Sequence, residues 1–312
     1  MGSGNSKPST ASASASDFSK PDSPGFASAT NVINYVPAAP TGRRLALCMG
    51  NNYTGTNIAL QGCINDATKM NTIFTNWGFT CTLMTDLKSG DLKVTRDNIL
   101  NKLDTLLSSL DTNDTLFIYY SGHGSAITDT NGDEVYGKDS VIVPIDYSTA
   151  GILSDDTIRS QLLKATKGNV FTMFDSCNSG SVCDLRYALL TTIYRTILST
   201  KRFYDPKEWK KSIDIVTNSK YEDTNTQIIS LSGSTDIQVS YEVKDSLGNW
   251  GGALTFAFLS TLNSLGPNGK IVDIITQTRA LLTSWGRDQT PSLMSGKPFS
   301  DENLTFSDYI GI

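Results

Sequence analysis

Two near-continuous apolar runs, Thr115–Tyr120 and Val170–Phe174, constrain this chain more than any other feature. A strand with one face in water alternates apolar and polar residues, whereas an unbroken apolar run fits a central strand covered on both faces. Helix-like and strand-like segments alternate around them. Arg44–Met49 and Phe79–Met84 read as further strands. Asn65–Trp77 has helical spacing of Ala67, Met70, Ile73, Phe74 and Trp77 and stops at Gly78. Thr95–Leu110 carries Ile99, Leu103, Leu106, Leu107 and Leu110 on one face. Ser154–Leu163, Leu185–Leu198, Ala253–Leu262 and Ile271–Trp285 are predicted as helices, and Gln227–Ser232 as a strand. This order predicts an α/β fold, a three-layer αβα sandwich around a central, mostly parallel sheet.

Residues 1–40 are of another kind. They hold nine serines and half of the chain's ten prolines, too little apolar surface to offset the entropy of ordering, so a disordered extension is expected. The remainder, 41–312, reads as one domain with an exposed, polar insertion at about 200–226. Its start, Met1-Gly2-Ser3-Gly4-Asn5-Ser6, fits the N-myristoylation pattern, with weak membrane contact through Gly2, although recombinant expression also leaves Met-Gly-Ser-Gly. No apolar run reaches the roughly 20 residues of a membrane span. A net charge of −5 without a clustered basic face argues against nucleic-acid binding. The five cysteines, an odd number without a CxxC pair, fit reduced thiols in a cytoplasmic protein, and one histidine is too few for the usual Cys/His zinc site.

That single histidine and one cysteine occupy matching places. Leu116–Tyr120 runs into Ser121-Gly122-His123-Gly124, and Val170–Phe174 runs into Asp175-Ser176-Cys177-Asn178-Ser179-Gly180. In a parallel sheet both endings fall at the carboxyl edge, where open α/β folds build their sites. A helix following Cys177 would also favour its thiolate. Peptide-bond chemistry needs a nucleophile, a base and oxyanion donors. Cys177 and His123 fit the first two roles, and the backbone N–H groups of Cys177 and Gly124 fit the third.

These two blocks resemble those of the metacaspases, of the caspase-like cysteine peptidase clan. The His-to-Cys separation of 54 residues is near the roughly 50 of caspases. The likeness extends through Gly62-Cys63-Ile64-Asn65-Asp66, Val143-Pro144-Ile145-Asp146-Tyr147, Ser232-Gly233-Ser234-Thr235-Asp236-Ile237-Gln238, Gly252-Ala253-Leu254-Thr255 and Gln289-Thr290-Pro291-Ser292-Leu293. It spans about 43–298 and is nearest to type I. Asn178 replaces the usual histidine after the cysteine, and Ser234 and Ile237 depart from the commoner Cys and Asp.

The resemblance implies a caspase-like fold, a monomer, and a cysteine endopeptidase that cleaves protein or peptide substrates after Arg or Lys. It maps an acidic specificity pocket onto Asp66, Asp175 and Asp236, lined by Cys63 and Ser121. Asp66 would otherwise serve to cap the helix near it. It also implies calcium (Ca2+) held by Asp139, Asp155, Asp156 and Asp184, an all-oxygen set suited to a hard cation; helix capping by Asp155 and Asp156 is the plainer reading. Autoprocessing after Lys201, Arg202, Lys210, Lys211, Arg43 or Arg44 follows from the same likeness. Two other readings stay open, a caspase-like scaffold without activity and a peptide ligase.

Overall fold

The strand Thr115–Ser121 sends alternate side chains into two separate cores. Phe117 and Tyr119 pack with Ala46, Phe74, Phe171 and Phe258 on one side. Leu116, Ile118 and Tyr120 pack with Leu47, Leu103, Ile158 and Val170 on the other. Every residue of this strand is buried, which is why its sequence is apolar throughout.

The computed structural model describes residues 41–132, 137–177, 179, 182–195, 209–233, 241–245, 248–287, 289–298 and 303–312. The strands in chain order are β1 (Arg44–Gly50), β2 (Thr80–Thr85), β3 (Thr115–Ser121), β4 (Gly124–Thr128), β5 (Lys138–Ile142), β6 (Leu153–Ser154), β7 (Asn169–Asp175), β8 (Tyr187–Arg195), β9 (Trp209–Thr217), β10 (Gln227–Ser232), β11 (Glu242–Lys244), β12 (Trp250–Gly252) and β13 (Ser292–Ser295). Eight of them form the main sheet in the order β2-β1-β3-β7-β10-β13-β8-β9. Pairing is parallel from β2 through β10 and antiparallel from there to β9. Two small antiparallel sheets, β4-β5-β6 and β11-β12, lie apart from it.

Five helices follow the expected pattern, α1 (Cys63–Asn76), α2 (Arg96–Ser108), α3 (Asp155–Leu162), α4 (Ala253–Leu265) and α5 (Ile271–Ser284), and a short α6 (Phe306–Ile310) was not foreseen. Residues of α1, α4, α5 and α6 fill the first core, and those of α2 and α3 fill the second. The result is the predicted αβα sandwich. No helix among the described residues is long and apolar enough to cross a membrane.

Two expectations need correction. The segment predicted as a helix over Leu185–Leu198 contains strand β8, paired with β9 over nine residue pairs. Its Thr191-Thr192-Ile193-Tyr194 run is β-branched and aromatic, a composition suited to strands. The exposed insertion at 200–226 also contains β9, the sheet's edge strand, and three buried side chains, Tyr221, Thr224 and Thr226. Residues 1–40, with Gly2, and Lys201 and Arg202 lie outside the described residues.

Candidate active site

The register between β3 and β7 sets the site. Their last paired residues are Ser121 and Asp175, so His123 and Cys177 each lie two residues beyond the same rung. The chains then converge. A β-carbon on Gly124 would fall 2.0 Å from the Cys177 carbonyl oxygen and 3.1 Å from Ser176 Cβ, so only glycine permits this approach. Behind Cys177 the turn is tied down: Ser179 Oγ donates to the Ser176 carbonyl at 2.8 Å and accepts from the Gly233 N–H at 3.1 Å. Gln289 Nε2 donates to the Gly233 carbonyl at 2.6 Å. Strand β8 occupies the segment expected as a helix after Cys177, so that segment offers the thiol no helix dipole.

His123 is held on several sides. Its Nε2 lies 2.7 Å from the backbone oxygen of Ile58. A carbonyl only accepts, so Nε2 carries the proton and Nδ1 is left as the basic nitrogen of the neutral ring. The His123 N–H donates to the Tyr53 hydroxyl at 2.9 Å, and the two rings are 4.7 Å apart. The His123 carbonyl accepts from the Val143 N–H at 3.2 Å and the Tyr120 hydroxyl at 3.1 Å.

At the end of β7 lies a buried acidic pair, Asp66 and Asp175. Asp66 is fully buried, and its Oδ2 accepts the Gly252 N–H at 2.5 Å, while Oδ1 has no hydrogen-bond partner. It does not cap α1, whose N-terminal flank is Gly62 without a side-chain bond. Asp175 Oδ2 accepts from the Thr255 N–H at 2.9 Å and the Thr255 hydroxyl at 2.7 Å. A β-carbon on Gly252 would fall 2.0 Å from that same Oδ2, so β12 lies directly on the carboxylate. Burial, reinforced by the charge of Asp175, holds the Asp66 carboxyl well above the usual range, against the pull of the Gly252 N–H and Lys69. Cys63 and Ser121 are buried beside this pair. Burial raises the Cys63 thiol, and the charges of Asp66 and Asp175 add to the rise against a Ser121 hydrogen bond. Glu242 Oε1 accepts the Gln61 and Gly62 N–H groups at 3.0 and 2.6 Å, clamping β11 onto the start of α1. Asp236, expected in the same pocket, lies outside the described residues, as do Ser234, Ile237 and Asn178.

A second acidic group forms where β5 meets α3. Donor oxygens of Asp139, Asp155 and Asp156 all lie within 4.8 Å of one another. The helix cap is Ser154, which accepts from the Thr157 N–H, so the plainer capping reading of Asp155 and Asp156 does not hold. Asp184, expected in the same set, is buried, has a φ of 46° and is not one of the three carboxylates brought together there. Burial pushes the Cys183 thiol up to about 12, opposed by hydrogen bonds with Ser230 and Thr172 and reinforced by Asp184 and Asp155. Asn131 Nδ2 donates to both Asp156 oxygens at 3.0 Å. Three crowded carboxylates at this spacing fit an all-oxygen cation site.

A caspase-domain family model matches residues 43–301. The chain is 32% identical over 302 residues to Metacaspase-1B of Aspergillus oryzae, covering 86% of this chain and 71% of that protein. It is 30% identical over 300 residues to Metacaspase-1 of Scheffersomyces stipitis, with 85% and 73% covered, and 30% identical over 310 residues to Metacaspase-1 of Saccharomyces cerevisiae, with 85% and 69% covered. This chain belongs to the metacaspases. The crystal structure of a Geobacter sulfurreducens protein matches the metacaspase fold with a TM-score of 0.57 at 25% identity, over 84% of this chain and 97% of that one. The family makes the protein a cysteine-type peptidase.

Sequence reading of this metacaspase missed the groups that hold the histidine. Ile58 contributes a backbone carbonyl, which leaves no side-chain signature. Tyr120 is one residue of an apolar run, and Tyr53 and Glu242 stand in no motif that singles them out. The pair Gly251-Gly252 was the available signal for Asp66 and Asp175, because adjacent glycines mark a place where backbone comes close to another group.

Proposed function

We propose that this metacaspase is a calcium-dependent endopeptidase that cleaves after Arg or Lys through a Cys177/His123 dyad. The observation carrying this reading is the convergence of Gly124 on Cys177, with His123 Nε2 committed to the Ile58 carbonyl. In that arrangement Nδ1 takes the proton of the Cys177 thiol as the sulfur attacks the scissile carbonyl carbon. The backbone N–H groups of Gly124 and Cys177 receive the oxyanion. As the tetrahedral intermediate collapses, His123 returns the proton to the departing amine, leaving a thioester. Water, deprotonated by the same nitrogen, then releases the acid and regenerates the thiol.

The buried pair Asp66 and Asp175, with Asp236, supports a preference for a cationic side chain. A carboxylate oxygen with no partner and no solvent gains much from a guanidinium or ammonium, and nothing from an anion. Asp139, Asp155 and Asp156, together with Asp184 as the family likeness implies, would hold calcium, which neutralises their mutual repulsion. The protein acts as a monomer, and a Gly2 myristoyl group would add only marginal membrane affinity.

Autoprocessing after a basic residue belongs to the same reading. Arg43 and Arg44 are poor targets: Arg43 Nε donates to Asp114 Oδ2 at 2.9 Å, and Arg44 is a buried residue of β1. Lys210 and Lys211 lie in β9, paired with β8, so Lys201 and Arg202 fit better.

The test is hydrolysis of fluorogenic peptides ending in Arg, Lys or Asp, with calcium or chelator, by wild type and Cys177→Ala. Cleavage after Arg or Lys that needs both calcium and Cys177 supports the reading. No cleavage by wild type would favour a scaffold, and peptide joining a ligase.

A further inference from the structure

We propose that Tyr53 is a positioning residue for the base of the dyad, aligning His123 from below through its hydroxyl and from the side through the turn it creates. The inference rests on the dyad reading above. Among the described residues, two non-glycines adopt positive φ, Tyr53 at 51° and Asp184 at 46°. Aspartate tolerates the left-handed region, whereas a bulky aromatic enters it at an energetic cost that its surroundings must offset.

The side-chain contacts of Tyr53 centre on His123. Tyr53 is fully buried, yet it belongs to none of the three hydrophobic clusters. The hydroxyl accepts the His123 N–H at 2.9 Å, donates to the Val143 carbonyl at 2.5 Å and lies 3.1 Å from the Tyr120 hydroxyl. Val143 in turn donates its N–H to the His123 carbonyl. The phenol therefore closes a ring of hydrogen bonds around the backbone of His123, while its own ring faces the imidazole at 4.7 Å. Burial pushes its ionisation far above the ordinary range, so the hydroxyl stays neutral and serves as donor and acceptor at once.

The left-handed backbone has its own consequence. The Tyr53 N–H donates to Asn51 Oδ1 at 3.3 Å, and the Tyr53 carbonyl accepts from the Thr56 N–H at 3.0 Å and its hydroxyl at 2.8 Å. The chain turns there, and Leu60 N–H closes the loop on the Asn52 carbonyl at 2.8 Å. Ile58, carried round by this turn, brings its carbonyl to His123 Nε2. One loop thus fixes both the backbone and the tautomer of the base.

The test compares Tyr53→Phe, which keeps the ring, with Tyr309→Phe as a control. Tyr309 is also a buried phenol, bonded to the Val170 and Gln227 carbonyls at 2.8 and 3.0 Å. Tyr53→Phe should lower kcat about 10- to 100-fold with KM nearly unchanged, and shift the pH profile of Cys177 alkylation by iodoacetamide. Tyr309→Phe should leave both alone at a comparable loss of Tm. A Tyr53→Phe enzyme with wild-type kcat and alkylation profile, or an equal kcat loss in Tyr309→Phe, would overturn the proposal. An inactive wild type would instead defeat the dyad reading. In that case 15N-histidine NMR in a Cys177→Ala background still decides: a single Nε2–H tautomer that becomes mixed on adding Tyr53→Phe supports the role, and an unchanged spectrum refutes it.

Discussion

The backbone oxygen of Ile58 lies 2.7 Å from Nε2 of His123, and this contact sets the tautomer of the chain's one histidine. With Nε2 occupied as a donor, Nδ1 is the nitrogen that the proposed mechanism would use to exchange a proton with Cys177. The single histidine makes the claim measurable without assignment. In 15N-histidine-labelled Cys177→Ala, the neutral imidazole should show a protonated Nε2 and a bare Nδ1. A protonated Nδ1 in the neutral ring would remove His123 as the base.

The approach of Gly124 to Cys177 predicts a steep local cost. Gly124→Ala puts a methyl group 2.0 Å from the Cys177 carbonyl oxygen, which forces the two strand ends apart. Hydrolysis should fall by about 100-fold or more, as for the loss of an oxyanion donor. Ser125→Ala, at an exposed position one residue on, should be near neutral. Equal kinetics for the two variants would show that the close approach is not needed.

Asp66 should trade stability for specificity. Its carboxyl is held well above the usual range, chiefly by burial and then by Asp175. Folding therefore costs stability once the group ionises. The cost is absent below the ordinary carboxylate pKa of about 3.9, grows as pH rises toward the folded value, and is constant above it. Asp66→Asn should raise Tm above pH 7 by roughly 2–6 °C, with the gain shrinking toward pH 4. Cleavage after Arg or Lys should fall at least about 30-fold. A variant that is less stable at every pH, or that still cleaves after Arg at the wild-type rate, would contradict the account.

Much of this was legible in the sequence, for physical reasons that differ by element. β3 and β7 announced themselves because both of their faces are buried, and the residues after them carry glycines where two backbones must meet. β8 was misread because Leu189, Leu190 and Ile193 satisfy helical spacing in a segment whose state is decided by pairing with β9 and β13. A local pattern cannot reveal a partner that lies far along the chain. β9 was missed although Ile213-Asp214-Ile215 alternates, because its lysines and serine lower the apolar signal. The acidic residues could be named from the family's blocks; that Asp66 would be sealed beneath Gly251 and Gly252 could not.

Calcium should stabilise the protein through Asp139, Asp155 and Asp156. Asp156 is the cleanest to change, because it is exposed whereas Asp139 and Asp155 are buried. At 100 times its Kd, calcium should add about 2.7 kcal/mol to the stability of wild type. Magnesium, which demands octahedral geometry and sheds water reluctantly, should add less. Asp156→Asn should lose the calcium increment while keeping its metal-free Tm. A calcium effect that survives in Asp156→Asn would place the ion elsewhere.

The most direct test of the central claim is covalent labelling with an irreversible peptide electrophile carrying Arg at its acyl end, read by intact mass and peptide mapping. The dyad predicts one adduct, on Cys177, formed in calcium, absent in His123→Ala and not formed by the matching Asp probe. An adduct on Cys63, Cys81 or another thiol, or equal labelling of Cys177 without His123, would contradict it.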